Sequence, residues 1–282
     1  MSKNLRIFEP TMENKELTFL CLASGSSGNC YYLSDGETTI LIDAGLSQRQ
    51  IKKALKERNL SMAGVKGIFI THDHADHIKG VGNLSKDNYI PVYATAEVHK
   101  GMKKSYCMTQ NIEPELVRYL EKGEVLQLGN FEIHSFEVPH DGSDNVGYFV
   151  KLGELNFCMV TDVGHITQEV SEHIGLANYL VLEANYDKSM LEMGPYPRYL
   201  KERIASETGH LSNEDCGNAL LQFATPELKH VWLCHLSEEN NHPELARKTV
   251  EGILRSAGII PGKDIKLDVL KRKTPSEVYF LR

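Results

Sequence analysis

Apolar positions along the chain change their period several times, and each change marks an element. Residues 17–24 (LTFLCLAS) and 29–45 (NCYYLSDGETTILIDAG) alternate apolar and polar side chains around Asp35-Gly36, the pattern of a β-hairpin closed by a tight turn. Over 47–60 (SQRQIKKALKERNL), Ile51, Ala54 and Leu55 recur at helical spacing opposite a basic face, which predicts an amphipathic helix. GIFIT and IPVYAT read as buried strands, and AEVHKGMKKSY as a helix. From 123 to 163 the pattern returns to strands. Two βα stretches follow: ANYLVLEANY (177–186) before a helical region after Pro197, and HVWLCHLSEEN (230–240) before HPELARKTVEGILRSAG. IKLDVL and EVYFLR close the chain. Hairpins first and helices later, twice over, predict two similar halves. Each half contributes a sheet, and the helices cover the outer faces, giving a four-layer αββα sandwich of the α/β (α+β) class. No repeat, low-complexity tract or linker interrupts this, so residues 1–282 are expected to form one domain.

Composition narrows the setting. With 282 residues, 41% hydrophobic and 24% charged, the chain can bury a large core. It has no apolar run of about eighteen residues, so no membrane contact is expected. The start, MSKNLRIFEPTMENKE, lacks an apolar run of signal-peptide length, which points to the cytoplasm. Cys21, Cys30, Cys107, Cys158, Cys216 and Cys234 are scattered without a C-x-x-C pair, as expected of free thiols in a reducing compartment. A net charge of −7 excludes a strongly basic footprint and leaves room only for a local cationic patch.

The chemistry is concentrated after the strand GIFIT. THDHADHIKG places His72, His74, Asp76 and His77 in one turn, where a strand end can aim them at a common point. From this composition, H-x-H-x-D-H arises by chance about once in a thousand such chains. Asp73, between two of these residues, points away if its neighbours converge. Three more apolar runs end in potential ligands: FEVPH at His140, FCMVTD at Asp162 and VWLCH at His235.

This order of residues, from LIDAG to LCHLS, resembles the metallo-β-lactamase superfamily. The resemblance implies two divalent metal ions. His72, His74 and His140 hold one, Asp76, His77 and His235 the other, and Asp162 bridges them. Asp43 supports the histidine loop. An all-N/O ligand set suits Zn²⁺, and Mn²⁺ or Fe²⁺ also fits. A hydroxide between the metals is the expected nucleophile, with Asp76 among the catalytic residues.

Three stretches bear on the substrate. ASGSSGNC (23–30) sets Ser24, Ser26, Ser27 and Asn29 among glycines, either a phosphate-holding loop or simply a hairpin turn. In GHLSNED, His210 precedes an S-x-x-D capping box, Ser212 to Asp215, and Glu183 ends the strand in LVLEANY. In tRNase Z-like and related phosphodiesterase branches, a Glu–His pair at corresponding places protonates the leaving oxygen, which implies that role for His210 and Glu183. GPYPRYLKERI offers Arg198 beside two tyrosines for a phosphate and a base, while Lys201 and Arg203 read singly as a solvated helix face. Together with HLSEENNHPELA, these stretches resemble the WalJ/YycJ branch of the superfamily. That branch implies a bacterial, cytoplasmic, metal-dependent DNA exonuclease working 5′ to 3′ on duplex or ends. The alternative is a small-molecule metallo-hydrolase, a glyoxalase II-type thioesterase or a lactonase, whose metal ligands are the same. His99, His134, His165, His173 and His230 read as surface or core-edge residues, and His242 as the opening residue of the last helix.

Overall fold

Two seven-stranded sheets form from the segments whose side chains alternate. The computed structural model describes residues 16–282; the polar opening segment 1–15, with the reading of the chain start, lies outside them. The first sheet contains β1 (Leu17–Ala23), β2 (Cys30–Ser34), β3 (Thr39–Ile42), β4 (Val65–Phe69), β5 (Val92–Ala94) and β6 (Val117–Tyr119). The second contains β7 (Val125–Leu128), β8 (Phe131–Glu137), β9 (Val146–Leu152), β10 (Leu155–Val160), β11 (Tyr179–Glu183), β12 (His230–Cys234) and β13 (Lys266–Val269). The C-terminal strand β14 (Tyr279–Leu281) returns to pair with β1.

With β14 in that place, the two sheets share one pairing scheme. In the order β14-β1-β2-β3-β4-β5-β6, the first three pairs are antiparallel and the last three parallel. The order β7-β8-β9-β10-β11-β12-β13 repeats this pair for pair. Antiparallel neighbours need only tight turns. At Asp35-Gly36, Gly36 takes φ +91° and the Asp35 carboxylate accepts from the N–H groups of Glu37 and Thr38. Parallel neighbours need crossovers. The first half uses α1 (Gln48–Lys56), α2 (Ala75–Ile78), α3 (Val81–Asn88) and α4 (Ala96–Lys104). The second uses α5 (Gln168–Leu176), α6 (Lys188–Met193), α7 (Arg198–Ile204), α8 (Asn213–Phe223) and α9 (Pro243–Ser256).

Three apolar layers hold the four structural layers together. Phe19, Tyr31, Phe69, Phe131, Tyr148 and Trp232 lie between the sheets. There Phe19 meets Trp232 edge to face at 4.7 Å, which ties one sheet to the other. The alternate residues of each strand pack outward against helices, α1 and α4 on the first sheet and α5, α8 and α9 on the second. The fold is an αββα sandwich. Boundaries moved in two places. The helix predicted over 47–60 stops at Lys56, because Asn59 turns left-handed at φ 56°. AEVHKGMKKSY ends its helix at Lys104. Among the described residues no helix is long and apolar enough to cross a membrane.

Candidate metal centre

Strands β8, β10, β11 and β12 run in one direction, as do β3 and β4 in the other sheet, so the strand ends deliver their following residues to one rim. Asp43 follows β3, the His72–His77 turn follows β4, and His140 follows β8. Asp162 follows β10, Glu183 ends β11 and His235 follows β12. Asp43, Asp162 and His235 hold φ of 57°, 50° and 50°, in the left-handed region. Such backbones cost about 1–3 kcal/mol each and persist where neighbours over-determine them. β3 and β10 occupy matching places in the shared pairing scheme, so Asp43 and Asp162 are topological counterparts.

The seven side chains converge. Ligand atoms of His72, His74 and His140 lie within 4.8 Å of one another, as do those of Asp76, His77 and His235 and those of His72, His77 and Asp162. Asp162 divides its oxygens between the two triads. Its Oδ2 stands 3.8 Å from His72 Nε2 and 3.7 Å from His140 Nε2, and its Oδ1 3.5 Å from His77 Nε2. On the other side, Asp76 Oδ2 is 3.3 Å from His235 Nε2 and 3.6 Å from His77 Nε2. These gaps are long for hydrogen bonds. They match the spacing of two donors that each sit about 2.1 Å from a shared tetrahedral cation. His72 Nε2 is fully buried and has no hydrogen-bond partner among the described residues. A buried polar atom of this kind needs a partner. The donor set therefore fits divalent metal, with His72 Nε2 as the clearest sign.

The far nitrogen of each histidine is held. Asp43 Oδ2 lies 2.7 Å from His77 Nδ1, and the same carboxylate accepts from the Thr71 backbone N–H at 2.9 Å and from its hydroxyl. Thr71 Oγ1 lies 3.0 Å from His72 Nδ1, and the Gly209 carbonyl accepts from His140 Nδ1 at 2.7 Å. Glu183 Oε1 lies 3.0 Å from His235 Nδ1. For His74, Nδ1 faces His140, and Asp141 Oδ1 stands 3.4 Å from Nε2. Such partners fix the tautomer that would leave a lone pair toward a cation. Burial, then the charge of His77, pushes the His72 pKa well below its usual value, so this ring is neutral. Burial opposes charge on His77 as well, but Asp43, Asp162 and Asp76 outweigh it and push the pKa well up. His235 rises in the same way, to about 10: burial opposes, and Asp162, Asp76 and Glu183 prevail.

Glu183 joins the cluster to a further histidine. It is fully buried. Its Oε2 accepts from the N–H groups of Val163 at 2.8 Å and Leu211 at 3.1 Å, while Oε1 stands 2.8 Å from His210 Nδ1. His210 stacks on His235 with centroids 5.4 Å apart and leaves Nε2 without a protein hydrogen bond among the described residues. Burial lowers the His210 pKa and the Glu183 charge raises it; the net shift is upward.

The phosphate-binding reading needs correcting in three places. Ser24 is fully buried: its hydroxyl accepts from the His235 N–H at 2.8 Å and bonds Tyr31, so it anchors the strand end that carries His235 and is not free to hold a phosphate. Asn29 is fully buried too. Its amide reaches Asp76 Oδ2 at 3.1 Å and His77 Nε2 at 2.9 Å, which steadies the helix turn. Arg198 extends into solvent and pairs with Glu202 at 2.7 Å. Ser26 and Ser27 are exposed. Two cations the sequence did not single out flank them. Lys79 donates to the Ser27 carbonyl, and the Arg272 stem packs on Gly25 while its Nη1 donates to the Ser237 carbonyl at 3.0 Å. Asp73 does turn away, accepting from Ser143 N–H at 2.9 Å and its hydroxyl at 2.6 Å, so it staples the His140 loop to the His72 turn. Asn185, which donates to the His235 carbonyl at 2.8 Å, was also unforeseen: no motif separates it from any other polar strand-end residue. The other histidines have ordinary partners: His173 stacks on Phe136, His134 and His230 meet Glu132 and Asp268, and His242 caps α9.

Comparison with known proteins agrees with this geometry. The model of the Beta-lactamase superfamily domain matches residues 38–235. Exodeoxyribonuclease YycJ of Bacillus anthracis is 36% identical over 265 residues, 94% of this chain and 99% of its own length. Exodeoxyribonuclease WalJ of Streptococcus pneumoniae is 36% identical over 246 residues, 87% of this chain and 91% of its own. The crystal structure of Zn²⁺-bound PqqB from Methylobacterium extorquens shares the fold at 14% identity, with a TM-score of 0.69 over 92% of this chain and 99% of that one. A ligand cluster at one sheet rim, the αββα sandwich around it and these likenesses agree: the chain belongs to the metallo-β-lactamase superfamily of hydrolases and is WalJ/YycJ-like.

Proposed function

We propose that this protein is a dinuclear metal-dependent phosphodiesterase that removes nucleotides from DNA ends in the 5′-to-3′ direction. The observation that carries the step from hydrolase to phosphodiesterase is His210, anchored by Glu183 at 2.8 Å beside the ligand cluster. A thioester's thiolate can depart without such an acid, whereas a sugar oxygen leaving a phosphodiester departs as a strongly basic alkoxide and gains from a proton donor. DNA as substrate rests on the relatives named exodeoxyribonuclease over nearly the whole chain.

His72, His74 and His140 would hold one cation, Asp76, His77 and His235 the other, with Asp162 shared. Bound there, the metals supply Lewis acidity toward a phosphoryl oxygen and a water made acidic enough to attack. The chain's own groups do the rest. Glu183 keeps the Nδ1 proton of His210 in place and favours its charged form, so Nε2 can give a proton to the departing oxygen. Glu183 also orients His235, coupling the acid to the ligand set. The exposed hydroxyls of Ser26 and Ser27, with Lys79 and Arg272 beside them, form the site for the DNA end. Both sheets contribute ligands, which favours one domain. Six free cysteines, five of them buried, favour a reducing cytoplasm.

The test is to incubate metal-loaded protein with 5′-phosphorylated end-labelled duplex, single-stranded DNA, a lactone and a thioester. Mononucleotide release from the duplex is the expected result. Turnover of the acyl substrates alone reverses the reading.

A further inference from the structure

The segment GPYPRYLKERI carries three cations on one short helix, and the fold sorts them. Arg198 pairs with Glu202 in solvent, and Lys201 donates to the Glu192 carbonyl at 2.6 Å. Arg203 alone turns to the metal centre. Its Nε donates to Asp141 Oδ2 at 2.5 Å, and Asp141 Oδ1 stands 3.4 Å from His74 Nε2 and 3.5 Å from His140 Nε2. The arginine stays half exposed, and its Nη1 and Nη2 make no hydrogen bond among the described residues.

The backbone makes this placement rigid. His210 N–H donates to the Ile204 carbonyl at 2.9 Å, so the end of α7 and the acid histidine are joined. Gly209 sits so close that a Cβ there would meet the Arg203 and Ile204 carbonyls at 2.3 Å, and its own carbonyl holds His140. Arg203, His140 and His210 are thus tied together through the Gly209 turn.

A guanidinium offers five N–H donors in a planar fork. Asp141 uses one edge of it, and the Nη groups remain for an anion. One carboxylate separates the guanidinium from the ligand nitrogens. The guanidinium therefore lies beside the cluster and not in it, with its free donors one carboxylate away from the ligand nitrogens. We propose that Arg203 grips a non-scissile phosphate beside the metal centre, with Asp141 as the positioning carboxylate that aims it. The proposal rests on the phosphodiesterase reading and adds the residue that makes a polynucleotide a better substrate than an isolated diester. It also answers the −7 net charge, since a single aimed cation supplies a contact the overall field does not.

The test compares end-labelled duplex DNA with bis(p-nitrophenyl) phosphate, a diester with no neighbouring phosphate, across metal-loaded wild type, Arg203→Ala, Arg203→Lys, Arg198→Ala and Asp141→Asn, with bound metal measured in each. Arg203→Ala raises KM for DNA about tenfold or more and leaves the small diester within about twofold. The log–log salt dependence of DNA binding falls by about one in that variant, the signature of one lost phosphate contact. Arg203→Lys recovers part of the KM, because a point charge replaces a fork. Arg198→Ala matches wild type on both substrates. Asp141→Asn raises KM for DNA with the salt slope retained. Wild-type DNA kinetics in Arg203→Ala, or an equal loss on both substrates, overturns the clamp. Wild-type KM for DNA in Asp141→Asn, measured at full metal loading, overturns its positioning role. Wild type that hydrolyses the small diester but not DNA overturns the nuclease reading, and the clamp with it.

Discussion

Asp43→Asn isolates the part of the metal centre that is a matter of one proton. The carboxylate is fully buried, takes the Thr71 N–H on Oδ1 at 2.9 Å, and faces His77 Nδ1 with Oδ2 at 2.7 Å. Asparagine keeps the size of the side chain and tolerates the left-handed φ of 57°, so the backbone need not move. Its Oδ1 can still accept from Thr71. Its Nδ2 then faces His77 Nδ1 with a donor, where a donor already stood. The ring resolves the clash by shifting its proton to Nε2, the nitrogen that faces Asp76 and Asp162. A cation must push the proton back and lose a charge-assisted hydrogen bond worth about 1.5–3 kcal/mol. That corresponds to about 10–100-fold weaker binding, the range known for partners that orient ligands. The loss falls on the triad of Asp76, His77 and His235. His74 and His140 take their orientation from Asp141 and Gly209 and keep it, while His72 feels the change only indirectly, through the Thr71 hydroxyl that Asp43 also accepts from, so the other triad loses less. Titration of apoprotein with Zn²⁺ against a chromophoric chelator reads the two equivalents separately. Two equivalents at wild-type affinity in Asp43→Asn would falsify the tautomer argument. Asp43→Ala is the contrasting control: it strands the buried partners and puts alanine at positive φ, so it destabilises the fold by about 3–5 kcal/mol.

Further outcomes follow from the same geometry. His210→Ala lowers kcat by about a hundredfold or more with bound metal unchanged, whereas Glu183→Gln lowers both, since Glu183 also holds His235; steady-state kinetics with metal analysis separates them. Metal binding releases protons near neutral pH: the protein's own groups hold His235 charged up to about pH 10, coordination needs it neutral, and apparent affinity therefore climbs as pH rises toward that value. Calorimetry in buffers of different ionisation enthalpy measures the release, and its absence counts against His235 as a ligand. Gly45→Ala disrupts the site from the backbone, because a Cβ there would lie 1.5 Å from the Asp76 carbonyl; thermal unfolding and metal content both fall, and a variant with normal values of each refutes the close approach.

Much of this protein is legible in its sequence. Period changes marked the strands and helices, since a side chain's burial repeats with the geometry of its own element. H-x-H-x-D-H was conspicuous because four candidate ligands share one local turn, and His140, Asp162 and His235 each closed an apolar run that read as a strand. Residues whose roles depend on distant neighbours were not. The serine loop read as four equivalent polar residues, but packing against His235 and Asp76 buried Ser24 and Asn29 and left Ser26 and Ser27 outside. Arg198 and Arg203 are five residues apart on one helix and chemically the same; only the approach of Asp141, from the loop after β8, turned one toward the metal centre and left the other in water. Periodicity records which face of an element is covered, whereas the partner of a polar side chain is set by which remote segments the sheets bring to the same rim, and that is a property of the assembled fold.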